Sequence, residues 1–192
     1  MSRRAVDPPE HATTPQRHPD APAPGERIGS HYRVCFGCGP EHPTGLHMEV
    51  SAGAGCRIHA EFTVTEHHQG APGLAHGGLL SAAFDEALGA VTWLLRVPAV
   101  TGHLETDFRR PVPVGTTLFI TAECIGIAGR KIYSRAVGRL GAPDGPVGVE
   151  AAAVFVAVPI EHFRDNGRAA DVEAFVSSGD RAAVASAFEV NP

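Results

Sequence analysis

Residues 57–65, RIHAEFTVT, set Ile58, Ala60, Phe62 and Val64 against Arg57, His59, Glu61 and Thr63. That period of two is expected of a strand with one face in a core. From Gly77 to Arg96 the period changes, with Leu80, Phe84, Ala87, Leu88, Val91 and Leu95 recurring at three- and four-residue steps. This is the stripe of an amphipathic helix, and some 20 residues of it span about 30 Å. After Pro98 four more segments read as strands: TGHLETDFRRPV, TTLFITAECIGI, RKIYSRAVGRL and VGVEAAAVFVAVP. Turn-forming PVPVG, AG and GAPDGP separate them. The last is apolar on both phases, as a strand covered on both faces would be. One further strand is expected near LHMEVSA, and one or two short helices in DVEAFVSSGDRAAVASAF. A single long helix with apolar faces needs something broad to lie against. The pattern therefore predicts an α+β fold in which an antiparallel sheet of about six strands wraps the helix.

Composition divides the chain around that unit. Residues 1–30 hold six of the sixteen prolines and hardly any large apolar side chain, so a disordered N-terminal tail is expected. Residues 31–160 form the domain, including a Cys-, Gly- and Pro-rich lead-in, and 161–192 form a helical C-terminal extension. A net charge of -5 with no lysine or arginine run gives no field to gather nucleic acid or an anionic membrane. The N-terminus has two arginines but no apolar segment behind them, so a cytoplasmic location is expected.

The candidate chemistry lies in GAPGLAHGGLLSAAFDEALGA, residues 70–90. Gly77 and Gly78 bare the backbone at the positive end of the helix, which suits an oxyanion. Alternatively they only permit a tight entry into the helix. Asp85 shares a narrow polar stripe with Ser81, Gly89 and Thr92, which fits a substrate chain, a second helix or a merely solvated carboxylate. Glu86 is expected to be the exposed member of the acidic pair. Gly77 and Asp85 are about 12 Å apart along one helix, too far to serve one carbonyl, because a catalytic base works within about 3 Å or through one water. Two chains packed with antiparallel helices would bring Asp85 of one to Gly77 of the other, which predicts a homodimer with shared sites.

PGLAHGGLLSAAFDEALGA followed by TGHLETDFRRPVPVG resembles the acyl-CoA thioesterases of the hotdog fold, in particular the PaaI-like group that includes the Them proteins. CFGCGPEHPTGL resembles a segment often found ahead of that domain in bacterial members. The resemblance covers about residues 35–160. It implies a hotdog fold, a homodimer or a homotetramer built as a dimer of dimers, and hydrolysis of an acyl-CoA or acyl-carrier-protein thioester with no cofactor. His76, Gly77 and Gly78 match the family's HGG, whose first glycine amide polarises the thioester carbonyl. Asp85 matches a general base or nucleophile, and Thr101 a residue that positions the attacking water. Arg109 and Arg110 match a strand end near the coenzyme A nucleotide. Some relatives carry Asn or Gln where this chain has Gly70, with Gln69 and His68 as neighbouring substitutes.

Other readings stay open. Cys35 and Cys38, with His42 and His47, have the ligand types of a zinc site, but the spacing is short and a structural turn without metal is favoured. Cys56 and Cys124 read as small core residues. The alternative functions are a hotdog hydratase or dehydratase, imitated by His68, Pro72, Gly73 and Glu86, and a non-catalytic protein that holds an acyl or polyketide-like ligand.

Overall fold

The computed structural model describes residues 4–159 and 161–177. In chain order the strands are β1 (Arg27–Ile28), β2 (Glu49–Ala52), β3 (Arg57–Thr63), β4 (Gln69–Ala71) and β5 (Leu74–Ala75). The long helix α1 (Gly77–Leu95) follows. Then come β6 (Ala99–Phe108), β7 (Thr117–Ala128), β8 (Lys131–Leu140), β9 (Val147–Ala157) and the short helices α2 (Glu161–Asn166) and α3 (Ala169–Ser177). Seven strands form one antiparallel sheet in the order β1-β2-β3-β7-β8-β9-β6, and β4 and β5 pair separately. The large sheet thus has seven strands where about six are expected. The extra one, β1, is only two residues long and carries no period to read.

The periodicity holds where it is strong. β3 alternates exposed and buried along its whole length, with Ile58, Ala60 and Phe62 inward. The helix buries Leu80, Phe84, Ala87, Leu88, Val91 and Leu95 against the sheet. Gly138 in β8 makes room for it: a Cβ there would lie 2.5 Å from Phe84 Cζ. Arg96 ends the helix in the left-handed region, φ 54°, with its N–H donating to the Thr92 and Trp93 carbonyls.

The N-terminal segment departs from expectation. Residues 4–30 lie along the sheet rather than forming a floppy tail. Val6, 1% exposed, packs with Tyr133 and Val154 on the outer face of β8 and β9. Pro8 sits over Gly126, where a Cβ would meet it at 2.8 Å. Thr13 bridges to Ile127, Arg17 donates to the Gly53 carbonyl at 2.7 Å, and His18 N–H donates to Leu94 O at 2.9 Å. Few apolar side chains are needed when a glycine and backbone groups supply the rest of the contact. The same cover explains why β9 is apolar on both phases: Val154 faces Val6, while Ala153 and Phe155 face the main core. In the C-terminal extension, α3 overlaps the start of the stretch in which short helices are expected, while α2 precedes that stretch; residues 178–192 lie outside the described residues.

Candidate active site

The start of α1 is built by two flanking segments. β5 leads straight into it, and the segment after β6 runs alongside, held by Ala75 N–H donating to Val112 O at 2.9 Å and by a bridge between Leu74 and Pro113. His76 is the N-cap residue, with extended backbone (φ -71°, ψ 130°), and its Nδ1 accepts from Gly78 N–H at 2.9 Å. That bond consumes the Gly78 donor and gives His76 a capping role. It also fixes the tautomer, since an accepting Nδ1 leaves the ring proton on Nε2. Gly77 N–H, one residue earlier, has no acceptor among the described residues. No acidic side chain occupies the first turn, so the positive helix end stands uncompensated.

Gly77 opens on a cleft of about 250 Å³ lined by Leu74, Leu80, Phe108, Arg109, Arg110 and Val112 among others. Both arginines are exposed. Arg109 Nε donates to Glu150 Oε2 at 2.5 Å, and Arg110 to the Val147 carbonyl. Gly70 is also accounted for: a Cβ there would meet His76 Cα at 2.7 Å. The capping histidine fills the space into which a side chain at position 70 would grow.

Asp85 lies two turns further along. Its Oδ1 accepts from Thr101 Oγ1 at 2.9 Å, a bond from α1 to β6. A register shift between Thr101 and His103 bulges the strand immediately after this threonine, as bulges do where a side chain must be re-aimed. Burial raises the Asp85 pKa above the ordinary carboxylate value, and the Thr101 hydrogen bond opposes that rise. Of the polar stripe, Ser81 is half-buried, Thr92 Oγ1 donates to Gly89 O at 2.8 Å, and Phe155 of β9 packs on Gly89. The lower half of the stripe is thus covered by the chain's own sheet.

His68 and Gln69 are engaged in local structure. His68 is buried beside Phe62, and its Nδ1 accepts from Thr65 N–H at 2.9 Å. Burial, with His67 close by, lowers its pKa. Gln69 Oε1 accepts from Gly73 N–H at 2.6 Å in the β4–β5 turn. Glu86 is not the exposed member of its pair. Its side chain is 16% exposed, with Cys35 Sγ 3.6 Å from its Oε2 and His31 Nδ1 3.8 Å from its Oε1. No sequence period announces that cover, because the lead-in that supplies it has none. His42 and His47, the histidines nearest the cysteine pair in sequence, are elsewhere. His42 stacks edge-on against Phe36, and His47 is an exposed residue with φ 49°. Cys124 is buried and Cys56 packs at the core edge, both as free thiols.

Residues 72–141 match the family model described as the thioesterase superfamily. The chain has the hotdog fold of the thioesterases that it matches. Acyl-coenzyme A thioesterase THEM4 of Xenopus laevis is 31% identical over 88 residues, 46% of this chain and 39% of that protein. The match thus spans about two fifths of the relative's length. A crystal structure of a thioesterase superfamily protein is 28% identical with a TM-score of 0.60, covering 71% of this chain and 70% of its own. A hypothetical thioesterase from Streptococcus pneumoniae, solved with coenzyme A, shares the hotdog fold at a TM-score of 0.50 and 19% identity, over 53% of this chain and 78% of its own.

Proposed function

We propose that the protein hydrolyses an acyl-CoA thioester at sites shared between two subunits of a homodimer. The observation that carries this reading is the Gly77 N–H, without an acceptor among the described residues and facing a cleft rimmed by two arginines. The thioester oxygen sits at that amide. Asp85 of the partner subunit takes a proton from water that Thr101 of that same subunit helps to hold, and the resulting hydroxide attacks the carbonyl carbon. The tetrahedral oxyanion is stabilised by Gly77 N–H and the helix end, and its collapse expels the coenzyme A thiolate. A donor of this kind contributes about 3–4 kcal/mol to the transition state.

Size supports a shared site. A cleft of about 250 Å³ falls below the roughly 300–1,000 Å³ of small-molecule pockets, so one chain supplies only part of the enclosure. Coenzyme A as the thiol is supported by the neighbour solved with it and by Arg109 and Arg110, whose exposed guanidiniums suit its phosphates. The hydratase reading loses its pair: the Nδ1 of His68 is engaged by Thr65, and Glu86 lies among His31 and Cys35.

The test is thiol release across short, long, branched and aryl acyl-CoAs and acyl-carrier-protein thioesters. Wild type is expected to turn over at least one class. Asp85→Asn should lose roughly 10²–10⁴-fold in kcat; full activity in a folded D85N protein would overturn the assignment.

A further inference from the structure

The lead-in and α1 meet at a cluster that thioester hydrolysis does not use. One ligand atom from each of His31, Cys35, Cys38 and Glu86 lies within 4.8 Å of all the others. Cys38 Sγ is 3.2 Å from His31 Nδ1, Cys35 Sγ is 3.6 Å from Glu86 Oε2, and His31 Nδ1 is 3.8 Å from Glu86 Oε1. Bonds of about 2.3 Å to sulfur and about 2.0–2.2 Å to nitrogen or oxygen make the edges of a tetrahedral zinc site about 3.4–3.8 Å long. The three spacings given lie at or within about 0.2 Å of that range, and the remaining pairs lie within 4.8 Å, a contraction away from it. We propose that His31, Cys35, Cys38 and Glu86 form a closed, four-ligand structural zinc site that fastens the lead-in to the central helix.

The donor set selects the metal. Two sulfurs with one imidazole exclude the oxygen-seeking magnesium and calcium, and a tetrahedral S2NO arrangement suits zinc. Two thiolates, a carboxylate and a neutral imidazole carry three negative charges in a half-buried place, and a divalent ion leaves one. Binding transfers the thiol protons to solvent and involves no redox change.

The surrounding backbone is shaped to the cluster. A Cβ at Gly37 would lie 2.2 Å from Glu86 Oε2, so a glycine there lets the Cys35–Cys38 loop close over the carboxylate without displacing it. At Gly39 a Cβ would lie 2.3 Å from Cys35 N, and Gly39 N–H donates to Cys35 O at 2.9 Å, which turns both sulfurs to one side. The loop is anchored behind by Leu46 N–H to Phe36 O at 2.7 Å and Met48 N–H to Gly37 O at 3.0 Å. Ser30 Oγ lies 3.5 Å from Cys38 Sγ, and Trp93 packs beside the His31 ring. These are the outer contacts that orient metal ligands. Four protein ligands leave no open position, so the ion supports structure rather than reaction. It would join segments 51 residues apart in the chain, beside Asp85.

Metal analysis of full-length protein purified without chelators should find about one zinc per chain. The metal-free protein, titrated with Co²⁺ alone, should develop a thiolate-to-cobalt charge-transfer band and intense tetrahedral d–d bands, both bleached by Zn²⁺. C35S/C38S should abolish the charge-transfer band, and E86Q should keep it while weakening affinity by roughly tenfold or more. H42A/H47A and C56S/C124S should change neither. A wild-type protein that binds neither Co²⁺ nor Zn²⁺ stoichiometrically, or that holds Cys35 and Cys38 as a disulfide when freshly purified, would overturn the proposal. So would binding that survives C35S/C38S or disappears in H42A/H47A. The wild-type titration decides the matter even if a cysteine variant fails to fold, and metal content is read independently of turnover.

Discussion

At residue scale, the first turn of α1 separates hydrogen bonding from folding unusually cleanly. Gly77 is the first helical position, and His76 before it is extended, which are the conditions under which proline is well tolerated. Gly77→Pro therefore deletes one N–H with little cost to the helix backbone, its Cβ meeting the exposed ring of Phe108 at 3.3 Å. It is expected to lower kcat by roughly 10²–10³-fold with an almost unchanged melting temperature, measured by thiol release and thermal unfolding. Thr101 tests the other end of the chemistry. Burial raises the Asp85 pKa and Thr101 restrains it, and the proposed base must be ionised. Thr101→Val removes the restraint, so the acid limb of the kcat/KM profile should move to higher pH and activity should fall more at pH 5 than at pH 8. An unmoved limb would show that Asp85 does not govern it.

At element scale, the N-terminal segment behaves as a strap. Val6→Ala removes buried methyl groups from the patch with Tyr133 and Val154. It should destabilise the fold by about 1–3 kcal/mol in urea unfolding, with turnover at saturating substrate retained. The strap also marks the limit of what sequence pattern reveals. The helix and β3 were legible because many residues repeat one period. The HGG glycines and Asp85 stand out as candidates because small and acidic residues interrupt that period, whereas Thr101 enters only through the resemblance of its segment. Residues 4–30 carry their contact through Val6, a proline over Gly126 and backbone bonds, none of which forms a pattern. Glu86 was misplaced for the same reason: what covers it arrives from an aperiodic loop 51 residues away in the chain.

At the scale of the whole molecule, about 12 Å between Gly77 and Asp85 is the argument for two subunits. If the proposed homodimer holds, the G77P and D85N variants, unfolded together and refolded at equal amounts, should recover up to about a quarter of wild-type activity. Random pairing makes half the dimers mixed, and each mixed dimer holds one intact site. No recovery beyond the sum of the separate variants would place both groups in one chain. The strand order has a consequence of its own. Among the described residues β6 pairs only with β9, and β9 lies beyond the end of the stretch 72–141 that matches the family model. A fragment cut to that stretch would contain the HGG turn, Asp85 and Thr101, yet β6 would have no neighbour and β8 a raw edge. The portion of the chain that identifies the domain is therefore not a portion that can stand as one.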